Sequence, residues 1–309
     1  MRIIKIISSV LTICLLALCS NTVYAQQDSQ YTQYMYNTVI INPAYAGNRG
    51  VLSINSFYRM QWIGLEGAPK TISLSLNTPI GIGGVGLGFS VVQDEIGPTK
   101  TTFVAADFSY TINMSEKTNL SFGLKGGGTL LNVDFSGLNF DPSDPNATNI
   151  INRISPTLGA GLYLHSEDKW YVGFSSPNLL KTNHYNDNTV SNATNEAHFY
   201  LMSGYVFNLH ENLKLKPSAL LKAVTGAPTS LDLSVNFLIN QKLTLGANYR
   251  LNTAVSGLAG FQISESLMFG YAYDYDTTEL GDYNSGSHEV FLRIELPTRL
   301  RAVVNPRFF

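Results

Sequence analysis

Cysteine, charge and long apolar runs are all scarce in this chain, and each shortage excludes something. Cys14 and Cys19 are the only cysteines among 309 residues, and both fall in the first 25. A chain cleaved after Ala25 has no thiol, so a disulfide framework, a thiolate metal site and a cysteine nucleophile are excluded. Charged residues make up 14%, against about 25% in an ordinary globular domain. Formal net charge is −2, and −4 once Arg2 and Lys5 are removed, which gives no electrostatic case for a nucleic-acid partner. Beyond the first 25 residues no stretch reaches ~18 consecutive apolar residues, so no membrane-spanning helix is expected. The five histidines (His165, His184, His198, His210 and His288) form no HxxxH pair and no local carboxylate–His–Ser cluster. They read as surface histidines, so the chain is expected not to be an enzyme, with no catalytic residue, metal ligand or cofactor assigned.

What is present points to an envelope. Arg2 and Lys5 precede a short apolar run, Ile6 to Leu18, and Val23 and Ala25 occupy the −3 and −1 positions. That is the pattern of a secretory signal over residues 1–25. Leu18 stands before Cys19 where a lipobox wants a small residue, so lipidation is disfavoured. Tyr (17 residues), Phe (16) and Gly (26) are abundant. Few charges, many aromatics and no spanning helix suggest a transmembrane antiparallel β-barrel, with strands alternating apolar-out and polar-in.

The alternation supports this. Lys70–Asn77 sets Ile72, Leu74 and Leu76 against Thr71, Ser73, Ser75 and Asn77. Gly83–Gln93 sets Val85, Leu87, Phe89 and Val91 against Gly84, Gly86, Gly88 and Ser90. Comparable runs extend from Val51–Trp62 to His288–Leu296, giving about fourteen strands over 51–296. Even-numbered connections are short. The odd-numbered ones include three long polar loops, Asp134–Arg153, Ser176–Asn195 and Asp276–Ser287, although the odd link at Asn252 is too short to fit well. Short periplasmic turns and long external loops are the rule in such barrels, which places both termini in the periplasm. A soluble β-sandwich would instead need a polar, water-facing side.

Most charges fall on the inward face: Arg59, Asp107, Lys125, Lys214, Lys216, Lys222, Asp232, Arg250, Asp274, Arg293 and Glu295. Mixed signs favour a salt-bridged lumen over a one-sign ion path. Gly81-x-Gly83-x-x-Gly86 matches a dinucleotide fingerprint, but it runs into strand residues where a helix should open, so it reads as a turn and close packing. Asp141, Asp144 and Asn146 carry the oxygens a Ca²⁺ loop uses, while Pro142 and Pro145 mark that segment as primarily a turn.

One stretch resists the pattern. Tyr31 to Gly47 reads YTQYMYNTVIINPAYAG; it lacks period-two alternation and is interrupted by Pro43. It is expected to form, within residues 26–50, a periplasmic preface at the barrel mouth, packed against the lumen wall or on a partner. Residues 297–309 form a tail on the same side.

Residues 33–37 (QYMYN), Ile41–Gly47 (INPAYAG), 58–62 (YRMQW), the turn at 67–71 (GAPKT) and the ending at 305–309 (NPRFF) together resemble the PorP/SprF family of type IX secretion system membrane proteins. The resemblance implies a non-enzymatic outer-membrane protein of Bacteroidota, working in type IX secretion and in some cases gliding motility. Its implied partners are a secreted adhesin or other cargo, held at the cell surface by its C-terminal domain, periplasmic secretion components, and outer-membrane lipid. Partner-binding candidates are Tyr34, Tyr36, Asn42, Pro43 and Tyr45 in the preface, Asp141, Asn146, Asn183, Tyr185 and Tyr283 in the loops, and Arg307 and Phe309 in the tail. A porin-like diffusion channel is the alternative.

Overall fold

The computed structural model describes residues 31–81, 83–136, 150–166, 169–180, 182–183, 194–297 and 308, with the side chains of 150–152, 182–183 and 194–195 excepted. The strands are β1 Leu52–Met60, β2 Lys70–Ile80, β3 Val85–Ile96, β4 Thr99–Asn113, β5 Thr118–Val133, β6 Ile150–Ser166 and β7 Trp170–Ser176. Then come β8 His198–Tyr205 (resuming at Phe207–His210), β9 Leu213–Val224, β10 Ser230–Ile239, β11 Leu243–Arg250, β12 Ala254–Gln262, β13 Leu267–Asp276 and β14 Ser287–Leu296. Each pairs antiparallel with the next, β8 bridges β7 and β9, and β1 pairs with β14 from Leu52↔Leu296 to Met60↔His288. The sheet is therefore a closed antiparallel barrel of fourteen strands, as the alternation predicts. Closure leaves no unpaired edge to template another chain.

Side-chain chemistry decides which face turns out. On β2, Thr71, Ser73, Ser75 and Asn77 are buried, whereas Ile72 and Leu74 are about half exposed (49% and 48%). The same split holds on β3, β5 and β10, where Phe89, Phe122, Leu124, Leu233 and Val235 face out. An apolar outer wall would drive aggregation in water; in lipid it is the surface required. All of the expected inward charges are buried except Lys214, which is half-buried on the same face as Lys216.

Boundaries shift by a few residues. β1 stops at Met60 because the chain turns at Trp62, which has φ 48. β3 runs on to Ile96, and β6 starts at Ile150. The doubtful link at Asn252 is a real tight turn: β11 ends at Arg250, β12 begins at Ala254, and Asn252 takes φ 57. Gly81 and Gly84 lie in the β2–β3 turn with positive φ, so the glycine fingerprint is a turn. The signal segment and the Asp141–Asn146 loop lie outside the described residues.

Candidate functional site: a lumen filled by residues 31–50

Tyr31 to Gly50 runs inside the barrel. Its structure is three short helical turns, Tyr34–Tyr36, Thr38–Ile41 and Pro43–Tyr45. Asn42 shapes the last of them: its Oδ1 accepts from the Ala44 N–H at 3.0 Å, and Pro43 supplies a fixed φ at the first position. The sequence expectation packed this segment against the lumen wall at the mouth. The wall contact is as expected, but the segment threads the lumen instead of stopping at its mouth. Thr32 meets Arg59, Asp274 and Glu289, all within two residues of the strand ends that carry the long links. At the opposite end Gly47 N–H donates to Asn77, and Arg49 pairs with Glu295.

The fit has three physical components. The first is apolar burial. Tyr34, Met35, Val39, Ile40, Ile41, Ala44 and Tyr45 form one core with Tyr163, Tyr171, Tyr200, Met202 and Leu220 of the wall. Tyr36 stacks on Phe291 with centroids 4.4 Å apart, and Phe291 stacks on Phe57 at 5.5 Å. Burial pushes the Tyr34 phenol up to about 12 and also raises that of Tyr36.

The second is backbone satisfaction. Wall hydroxyls donate to carbonyls that no regular structure uses: Ser175 to Ile41 O and Ser109 to Ala46 O, both at 2.7 Å. Lys125 Nζ donates to Val39 O at 3.3 Å, and Asn42 Nδ2 donates to Leu162 O of β6 at 3.0 Å. The Glu289 carboxylate accepts the N–H groups of Thr32 (3.1 Å) and Gln33 (2.9 Å). Buried main-chain groups left without such partners would each cost about 1–3 kcal/mol.

The third is charge pairing. Arg59 reaches Asp274 at 2.7 Å and Glu289 at 3.1 Å. Lys125 meets Asp107 at 2.8 Å, and Arg250 meets Asp232 at 2.9 Å, both directly across adjacent strands. Much of the mixed-sign lumen is therefore ion-paired, and the Arg59 cluster holds the segment in place.

Room for the segment comes from glycine on the inward face. A Cβ at Gly123 would overlap the backbone of Pro43 and Ala44, and one at Gly161 would overlap the Asn42 side chain. Gly86, the last glycine of the fingerprint, lies against the Ala46 carbonyl.

The structure thus brings five of the candidate partner-binding residues, Tyr34, Tyr36, Asn42, Pro43 and Tyr45, into the lumen, where their contacts are with the wall. Tyr283 is apart from them, 73% exposed in the β13–β14 link. Asn183 has a described backbone, paired with Thr194 in a two-residue ladder. Asp141, Asn146, Tyr185, Arg307 and Phe309 lie outside the described residues. Sequence reasoning missed the roles of Arg49 and Phe308; it set Glu289 on the polar face of the last strand, where the structure has it, but gave it no role. It also passed over the inward aromatics Phe57, Tyr163, Tyr171, Tyr200 and Phe291. Bulky rings on a lumen face otherwise built of Ser, Thr, Asn and Gly were the available signal that something fills the space.

An all-antiparallel closed wall, apolar outside and polar within, defines the class of outer-membrane β-barrel proteins. The family described as type IX secretion system membrane protein PorP/SprF matches residues 23–294, and the chain belongs to that family. Among solved structures, the Ralstonia pickettii toluene transporter TbuX shares the fold with TM-score 0.50 at 10% identity, covering 82% of this chain and 91% of its own. Omp33 of Acinetobacter baumannii gives TM-score 0.49 at 8% identity (80% and 98% covered), and the CymD monoaromatic hydrocarbon channel gives 0.49 at 12% (89% and 94%). No curated protein matches the chain in sequence.

Proposed function

We propose that this barrel is a non-enzymatic docking platform of the type IX apparatus, which binds a secreted partner through that partner's C-terminal domain and retains it at the cell surface. The observation that carries the reading is the filled lumen: a wall packed against an N-terminal segment most of whose residues are buried is suited to a rigid rim, not to solute flow. In this reading the links after β5, β7 and β13 face outward and hold the cargo, with Tyr283 an exposed anchor in the last of them. Aromatic anchors on long polar loops are a common chemistry for protein recognition. The short-turn end faces the periplasm and meets other secretion components.

The test is deletion of each long loop in turn. The expected result is a barrel that still inserts but releases cargo into the medium for at least one deletion. Retention of cargo by all three single-loop deletions would overturn the proposal. A porin-like channel predicts a large, steady conductance from the purified protein; the platform predicts a silent bilayer.

A further inference from the structure

Beyond Pro297 the structure describes Phe308, and it lies inside the barrel. The chain leaves the wall at Leu296 on β14, and Phe308 is seated beside β8, β9 and β10. Four strands separate β9 from β14 on that side of the ring. The Phe308 side chain is buried with Val206 and Leu238. Lys216 of β9 donates to the Phe308 carbonyl at 2.5 Å, and its ammonium stands 4.8 Å from the centre of the Phe308 ring.

Lys216 is 1% exposed. Among the described residues, the Phe308 carbonyl is the acceptor its ammonium meets, while Arg49 and Arg293 act on it with charge of the same sign. A buried ammonium deprived of its acceptor is strongly unfavourable. An empty seat would therefore be unstable, and anything that fills it must bring an acceptor. The apolar walls add a second requirement, and the cation lying over the ring adds a third, since an aromatic face attracts it.

We propose that Val206, Lys216 and Leu238 form a peptide-binding seat in the short-turn half of the lumen. Its ligand class is a short peptide offering an aromatic side chain together with its own main-chain carbonyl, and Phe308 is the resident ligand. The seat is separate from the N-terminal segment, whose start lies against the long-link end. A partner peptide entering from the short-turn side finds the site taken, and displaces Phe308 only by supplying the same aromatic–carbonyl pair.

The test uses the full-length barrel in detergent and a fluorescein-labelled peptide of residues 305–309, Asn-Pro-Arg-Phe-Phe, read by polarisation. Phe308→Ala should bind it at least tenfold more tightly than wild type. Adding Lys216→Met to Phe308→Ala should weaken binding tenfold or more, and the peptide Asn-Pro-Arg-Ala-Ala should not bind. Equal binding by wild type and Phe308→Ala, or by both peptides, overturns the proposal. Heat-modifiable gel migration reports whether the barrel has formed. If Phe308→Ala prevents it, the paired variant Leu238→Cys with Phe308→Cys decides. No other cysteine lies beyond Cys19, so a cross-link between the two positions in the folded barrel supports the seat and its absence refutes it.

Discussion

Replacing Gly86, Gly123 and Gly161 together by alanine should evict the N-terminal segment without touching any residue that contacts it by side chain. Each new Cβ meets a different part of the segment: the Ala46 carbonyl, the Pro43–Ala44 backbone and the Asn42 amide. Two of these neighbours are main chain held by further hydrogen bonds, including Ser109 to Ala46 O, so they cannot yield as a flexible side-chain tip would. Overpacking of this kind costs about 1–3 kcal/mol per site. The three sites act on one continuous segment, so the effects couple, and a total of about 4 kcal/mol is a conservative figure. At about 1.4 kcal/mol per factor of ten, that shifts the ratio of docked to undocked segment by nearly a thousandfold. Hydrogen exchange at the amides of residues 32–47 is the direct assay and bilayer conductance the second. The control is Gly126→Ala together with Gly257→Ala, positions where a Cβ meets nothing within 4 Å; it should behave as wild type. A triple variant that migrates as a folded barrel, keeps wild-type protection at those amides and stays electrically silent would refute the reasoning.

Other perturbations test the remaining forces. Arg59→Leu leaves Asp274 and Glu289 buried without their cation, and should lower unfolding stability in urea by about 3–5 kcal/mol, as loss of one partner of a buried pair does; Asp274→Asn in that background should restore part of it. Tyr34, with its phenol at about 12, is neutral in folded and unfolded chains below pH ~10 and contributes no pH dependence there. Between pH ~10 and ~12 the unfolded chain ionises first, so Tyr34 alone lowers stability by roughly 1.4 kcal/mol per pH unit; Tyr36, raised by the same burial, adds a loss of its own. Tyr34→Phe should make the alkaline decline shallower by that one share, and identical alkaline unfolding curves for the two proteins would contradict it. Lys125→Met removes the cation opposite Asp107 and the donor to Val39 O; amides near Val39 should exchange faster, whereas Lys100→Met on the exposed face should leave them unchanged.

The wall was legible because a strand's two faces report their surroundings residue by residue. Ile72 and Leu74 against Ser73 and Ser75 need no knowledge of the rest of the chain. Parity likewise put Arg59, Asp107 and Lys125 inside. Their partners were another matter. Asp107 and Lys125 sit opposite each other on neighbouring strands, but Arg59 finds Glu289 only because β1 closes against β14, some 230 positions away in sequence. The lumen segment was hardest to read. Its turns follow no period of two or of 3.6, and its carbonyls are satisfied by serines on β4 and β7 that local sequence cannot assign. Phe308 escaped for a similar reason: a lone aromatic takes its place from a distant lysine.

The seam between β1 and β14 has a further consequence for assembly. The filling segment precedes β1 directly and touches both seam strands: Thr32 meets Arg59 and Tyr31 meets Phe57 on β1, while Thr32 at Glu289, Tyr36 at Phe291 and Arg49 at Glu295 reach β14. The contacts that seat the segment are thus also contacts across the seam, so docking and closure favour each other. Pairing β1 with β14 joins the most distant strands in the chain and carries the largest loop-closure entropy. A segment bound to both strands offsets that cost at the one place where separation would leave two bare edges.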